Sequence, residues 1–237
     1  MSDRFFSTVP ITDDVAALSG PEAHHLARVM RAQVGELVTL FDDSGQEFSA
    51  RIRSIGKRDI ELEVLERRAV NRESLVNLTL AVALPKGERQ RWLIEKAVEL
   101  GVAELVPLET ERGVAQPSEG ALDRLRRGVI EASKQCGRNR LMKIGSAQSC
   151  RAFFAAPSGN GLRFLAHPGG AALRSAWPGA VDFSGATVLA AVGPEGGFTD
   201  EEIGIAVAGG WTLVDLGPRI LRVETAAIAL AAWAICH

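Results

Sequence analysis

The sequence predicts an α/β fold in two parts, a small β-rich domain followed by a larger domain of helices covering a parallel sheet. Residues up to about 70 carry short period-two runs separated by turn residues, whereas from Leu75 onward strand-like and helix-like segments alternate. The 237 residues are 46% hydrophobic and 24% charged, enough for a buried core and unlike a disordered or fibrous chain. The formal net charge is −2, so any surface for nucleic acid has to be local rather than global.

The elements follow in order. Strands are expected at 37–41, 48–55 and 60–65, the last two alternating apolar and polar residues, with turns at 42–45 and 56–59. A helix is expected at 21–30, capped by Ser19 ahead of Gly20 and Pro21, with Leu26, Val29 and Met30 on one face. These pieces make a small antiparallel barrel or meander. Beyond Leu75 the expected order is strand 76–84, helix 87–100, strand 105–108, helix 122–135, strand 162–166 and strand 187–192. A helix from Asp200, strand 212–216 and helix 225–236 complete it. The expected domains are 1–71 and 74–237, joined near Val70 to Ser74.

Three cysteines, Cys136, Cys150 and Cys236, form no C-x-x-C pair, which argues against a disulfide framework and a zinc knuckle. The segment MSDRFFSTVP lacks the apolar stretch of a signal peptide, and the most apolar run, 225–236, is shorter than the roughly 20 residues that cross a bilayer. A cytoplasmic protein without a membrane partner is expected. His24 and His25 are adjacent, which points them apart on a helix, and His167 and His237 lack neighbours at ligand spacing, so no metal is expected. Cys136 reads as a small buried residue, and Trp92, Trp177, Trp211 and Trp233 read as core.

Two loops and one charged run stand out. Residues 193–203, GPEGGFTDEEI, lie between a buried strand and a helix, where ligands bind in open α/β sheets. Thr199 and Glu202 have capping-box spacing. Neither G-x-G-x-x-G nor G-x-x-x-x-G-K-[ST] is present, and Asp200, Glu201 and Glu202 at the helix start repel phosphate. A ligand without phosphate, and with a positive centre, fits better. Residues 216–226, LGPRILRVETA, again join a strand to a helix, and Glu224 is placed to pair with Arg219 or Arg222. Residues 123–143 hold seven basic side chains against two carboxylates, a net +5. By itself such a run reads more readily as a solvated helix face than as a phosphate-binding surface.

Both loops resemble those of the SPOUT methyltransferases, and more narrowly the RsmE family, which methylates N3 of a uridine in bacterial 16S ribosomal RNA. Further markers occur in the family's order: Arg4-Phe5-Phe6, His24-His25-Leu26 with Arg28 and Arg31, LPKGER at 84–89, EKAVELG at 95–101 and EASKQCGR at 131–138. The resemblance implies a PUA-like β-barrel that holds RNA, then a SPOUT domain whose C-terminal part forms a trefoil knot and binds S-adenosylmethionine. It also implies a homodimer, in which the apolar helix ending at Cys236 lies either at the subunit boundary or inside the protomer. The family's cofactor contacts fall on Leu165, Ala166 and His167, on Val192, Gly193, Pro194, Glu195, Gly196 and Gly197, and on Leu216, Gly217, Ile220, Leu221, Arg222 and Thr225.

Within that frame the basic run becomes an RNA surface. Arg4, Arg28, Arg31, Lys86, Arg89, Arg112, Arg124, Arg127, Lys134, Arg138 and Arg140 are the expected contacts to 16S ribosomal RNA of the small subunit. Uracil N3 carries a proton at neutral pH, so transfer to it needs a proton acceptor or stabilisation of charge on O2 and O4. Arg222 or Arg138 is expected to face those oxygens, and Glu195 or Glu224 to orient an arginine or take the proton. The competing expectations are a SPOUT enzyme acting on another RNA base, a non-catalytic RNA-binding assembly protein, and a nucleotide-dependent oxidoreductase, which the missing phosphate fingerprint disfavours.

Overall fold

The structure is a computed structural model of the chain and describes residues 4–113, 118–157, 161–176 and 185–236. Trp177 and His237 lie outside the described residues. The chain forms two compact units, one running to Glu73 and including Ile130–Leu141, the other comprising Ser74–Val129 and the chain from Met142.

In the first unit, strands β1 (Arg4–Phe6), β2 (Val15–Ser19), β3 (Leu37–Phe41), β4 (Gln46–Ile55) and β5 (Asp59–Ala69) form one sheet in the order β1-β3-β4-β5-β2. Only β1 and β3 run parallel. The period-two pattern has its expected result: Phe48, Ala50 and Ile52 face inward from β4, and Ile60, Leu62 and Val64 from β5. They join Phe5, Leu18 and Leu40 in a single core drawn from all five strands, which requires the sheet to curl around it.

Two expectations fail between β2 and β3. Ser19 precedes helix α1 (Gly20–His24) but makes no side-chain cap bond. Pro21 lacks one of the N–H groups a cap would accept from. The expected single helix also widens into a π turn at His25–Val29. Leu26 stays buried, but the wider turn carries Val29 and Met30 out to solvent, where they are 62% and 42% exposed.

The second unit is built on six parallel strands in the order β12-β10-β11-β6-β7-β8, with β9 pairing β7 separately. These are β6 (Asn77–Val82), β7 (Glu104–Glu109), β8 (Lys143–Ile144), β9 (Gln148–Ser149), β10 (Leu162–Ala172), β11 (Thr187–Val192) and β12 (Thr212–Asp215). The central strands are uninterrupted apolar runs because both faces are covered. The helices are α2 (Glu88–Leu100), α3 (Glu119–Cys136), α4 (Cys150–Ala155), α5 (Leu173–Ala176), α6 (Asp200–Ala208) and α7 (Val223–Ile235). α7 is apolar nearly all round and packs on α2, β6 and β11, with Ala227, Leu230, Ala231 and Ala234 fully buried. Trp211 is core and meets Phe154 edge-on, as Trp233 meets Phe164 while staying partly exposed. Trp92 is 43% exposed, because the buried face of α2 begins one residue later at Leu93. Cys136 is also only partly buried.

The C-terminal turn of α3 and the residues after it explain why Ile130–Leu141 belongs to the first unit. Lys134 pairs with Glu22 at 3.0 Å and lies over the Phe5 ring. Arg138 grips Glu73 through Nε and Nη2, and Asn139 donates to the Val70 carbonyl. Arg4 bonds Asn139 and, together with Arg72, Glu47. Burial raises the Glu47 pKa, but hydrogen bonds from Arg72 and Arg4 outweigh it and hold the carboxyl below its ordinary range.

Candidate functional site

In the second unit the chain leaves β10, β11 and β12 through three loops that enclose a cleft of about 580 Å³. That is within the range of small-molecule sites. The β11 loop turns back on itself, Gly197 donating to the Pro194 carbonyl at 2.8 Å, and Phe198 folds inward onto Phe154. Gly193 is required here, since a Cβ would meet the Phe198 ring at 2.9 Å. The expected capping box is present: Thr199 Oγ1 accepts from Glu202 N–H, and Glu202 Oε2 accepts from Thr199 N–H.

β10 runs further than its apolar segment suggested, because a bulge after Ala166 carries His167, Pro168 and Gly169 outward before pairing resumes at Ala171. Gly170 lets the bulge close against β12, where a Cβ would lie 2.6 Å from the Leu213 backbone. Asp215 ties the loops together, accepting from Gly169 N–H at 3.1 Å and Gly217 N–H at 2.8 Å. Those two donors hold its carboxyl below the usual range. Asp215 was not anticipated; its only sequence signal is an aspartate two residues before a glycine, the spacing of an Asx turn. The buried Nδ1 of His167 has no hydrogen-bond partner among the described residues and lies in the cleft wall.

Glu195 and Glu224, the two carboxylates singled out from sequence, are joined by one side chain. Arg89, from α2, donates to Glu195 Oε1 at 3.0 Å and lies 3.8 Å from Glu224 Oε2. Glu224 is buried at the start of α7 and its Oε2 accepts no hydrogen bond. Its partner is therefore Arg89, not Arg219 or Arg222, which both point to solvent. Of the other expected cofactor contacts, Ala166, His167, Val192, Gly193, Pro194, Gly196, Gly197, Leu216, Gly217, Ile220 and Leu221 line the cleft with Glu195. Leu165 is fully buried in the strand behind it, and Arg222 and Thr225 are exposed outside its lining.

The expected RNA contacts divide. Arg28, Arg31, Lys86, Arg124, Arg127 and Arg140 are exposed. Arg112 is exposed too, but its Nη1 donates to the carbonyls of Gly196 and Phe198 and so braces the cleft. Arg4, Lys134 and Arg138 are placed differently: their side chains are 10%, 9% and 5% exposed and they pair with Glu47, Glu22 and Glu73. A buried cation already matched to a carboxylate cannot reach a phosphate, so the +5 run is only in part a free surface. Arg138, held on Glu73, does not line the cleft.

Glu202 does more than cap α6. Buried beneath the loop, it accepts from Glu111 N–H at 2.9 Å and from the Cys150 thiol at 2.9 Å. Burial pushes the Glu202 carboxyl up, but the bonds from Cys150, Glu111 and Thr199 together hold it below the ordinary range. Burial and the adjacent carboxylate push the Cys150 thiol up to about 12, from an ordinary 9.0. The unfolded chain therefore loses this proton at a pH where the folded one retains it. Stability from this group should be complete below about pH 9 and decline as pH rises towards 12. At pH 8, iodoacetamide should label exposed Cys236 well before Cys150, read by peptide mass spectrometry; equal labelling would contradict the burial of Cys150.

Among the described residues no cluster of His, Cys, Asp or Glu has the form of a metal site, and no helix is long and apolar enough to cross a membrane.

Residues 72–235 match the model of an RNA methyltransferase domain, and residues 18–65 that of an RNA methyltransferase PUA domain. The chain is 35% identical over 228 residues to a ribosomal RNA small subunit methyltransferase E of Synechocystis, covering 93% of this chain and 73% of that protein. It is 28% identical to the Bacillus subtilis protein of the same name, over 89% of this chain and 85% of the other. Among solved structures, the Neisseria gonorrhoeae ribosomal RNA small subunit methyltransferase E bound to S-adenosyl methionine is 29% identical with a TM-score of 0.86, covering 98% and 96% of the two chains. A Legionella pneumophila structure in complex with the bound cofactor SAM is 31% identical with a TM-score of 0.90, covering 99% and 97%.

Proposed function

This chain belongs to the RNA methyltransferase family of the ribosomal RNA small subunit methyltransferases E, and on that premise we propose that its cleft serves methyl transfer to N3 of a uridine in 16S ribosomal RNA. It is an S-adenosylmethionine-dependent methyltransferase of small-subunit ribosomal RNA. The observation that carries the reading is the lining of the cleft. Among the described residues Glu195, Asp200 and Asp215 outnumber Arg112 and Arg219 in its lining, Arg112 is turned onto the Gly196 and Phe198 carbonyls, no lysine takes part, and His167 leaves one buried nitrogen for a ligand. This is a poor cradle for a pyrophosphate and a good one for a cation with an adenine and an amino acid attached.

S-adenosylmethionine, when bound, supplies a methyl group already activated by its sulfonium. The chain's own residues then have to place the base and manage charge. Arg222, an exposed cation at the start of α7, stabilises negative charge on the uracil oxygens. Glu195 and Glu224 hold Arg89 between them, and one of the two takes the N3 proton. Residues 1–71 act as the RNA-holding module and 74–237 as the methyltransferase domain. The order that puts β12 beside β10, and not beyond β11, supports a trefoil knot in the last three loops. In this reading the enzyme works in the cytoplasm on the small subunit, which the names of its relatives support through their substrate, and as a homodimer, which the SPOUT resemblance supports.

Isothermal titration should show one saturable S-adenosylmethionine site per chain. Asp215→Ala, which unties two of the loops, should weaken it about tenfold or more, as expected for a lost charge-assisted bond pair. Absence of binding, or preference for a nicotinamide dinucleotide, would overturn the reading.

A further inference from the structure

A second cavity, of about 270 Å³, adjoins the first, and Pro194 and Glu195 belong to the walls of both. Its floor is apolar and buried: Ala83, Leu84 and Pro85 from the segment that follows β6, and Leu108 from β7. Its rim carries Lys86 and Arg89. Arg89 is held by Glu195. Lys86 is exposed and makes no hydrogen bond or ion pair among the described residues.

This arrangement combines an apolar floor for a flat ring, a carboxylate and a guanidinium in hydrogen-bond contact at one wall, and an unmatched ammonium at the mouth. Enzymes that modify a base take it out of its stack into a snug pocket, reading its edge by hydrogen bonds and its face by apolar contact. We propose that this cavity is the acceptor pocket: it receives the target pyrimidine nucleotide, with the ring on the Ala83–Leu84–Pro85 floor and the phosphate on Lys86. The edge of the base then faces Glu195 and Arg89, across the wall shared with the cofactor cleft. The inference rests on the methyltransferase reading and adds to it which side of the Pro194–Glu195 wall the RNA approaches from. It also gives Arg89 a part that the sequence did not, as the fixed donor beside the base, and makes Lys86 a gripping residue distinct from the dispersed cations of α3.

The test is steady-state methyl transfer to ribosomal RNA from cells lacking the enzyme, with S-adenosylmethionine affinity measured in parallel. Lys86→Glu should raise KM for RNA about tenfold or more, the worth of a charge-assisted phosphate contact, while kcat and cofactor affinity stay within about twofold. Lys86→Arg should restore most of the KM. Ala83→Leu, which fills the floor without altering charge, should lower kcat/KM for RNA and leave cofactor binding intact. An unchanged KM in Lys86→Glu overturns the inference. So does a parallel loss of cofactor affinity, which would place Lys86 on the carboxylate of the cofactor. If the unaltered chain transfers no methyl group at all, the methyltransferase reading fails and takes the pocket with it. If it does and Lys86→Glu behaves as the parent, the pocket alone fails.

Discussion

Arg138→Ala is expected to destabilise the protein by about 3 kcal/mol, the lower end of the range for breaking a buried ion pair. Arg138 Nε and Nη2 contact Glu73 at 3.0 and 2.6 Å, with side chains 5% and 23% exposed. Truncation leaves the Glu73 carboxylate largely desolvated and without its fork of donors, while some access to water keeps the cost below the upper limit. Because Arg138 sits where Ile130–Leu141 joins the first unit, the loss should appear as a lower urea midpoint by circular dichroism. Arg138→Lys should recover only part of it, since an ammonium cannot reproduce a two-nitrogen grip. An unchanged midpoint with methyl transfer abolished would reverse the assignment and return Arg138 to the chemistry.

Arg222→Ala should leave the fold intact and lower kcat by about 10² to 10³, the usual effect of removing one donor that stabilises developing charge. The residue suits that role because its side chain is exposed and caps nothing at the start of α7. Single-turnover methyl transfer separates this from binding. A variant whose KM rises with kcat unchanged would make Arg222 a binding residue, and one with full activity would remove it from the site.

The two predictions show how far the sequence carried. Strand identities were legible where burial imposes a pattern: the largely apolar runs Leu37–Phe41 and Thr187–Val192 fall where the sequence placed them. The capping box at Thr199 and Glu202 was equally readable, because its chemistry is local. The failures share a cause in partners distant along the chain. Arg4 and Asn139 are 135 residues apart, and Arg138 and Glu73 are 65, so charge counting took structural cations for a free surface. Likewise Glu224 finds Arg89, on a helix that adjacency on paper does not suggest, and not its near neighbours Arg219 or Arg222. Asp215 escaped notice since its two donors come from separate loops. The π turn after α1 has no sequence signature in the apolar spacing of Leu26, Val29 and Met30.

The most direct measurement of the central claim is nucleoside mass spectrometry of 16S ribosomal RNA incubated with the purified chain and S-adenosylmethionine carrying an isotopically labelled methyl group. The RNA would come from cells lacking the enzyme. The account predicts label in 3-methyluridine, at a single position, with none appearing when Arg222→Ala replaces the parent on the same time scale. Label confined to a ribose oxygen or to a base other than uracil, or no label in RNA despite saturable cofactor binding, would contradict it.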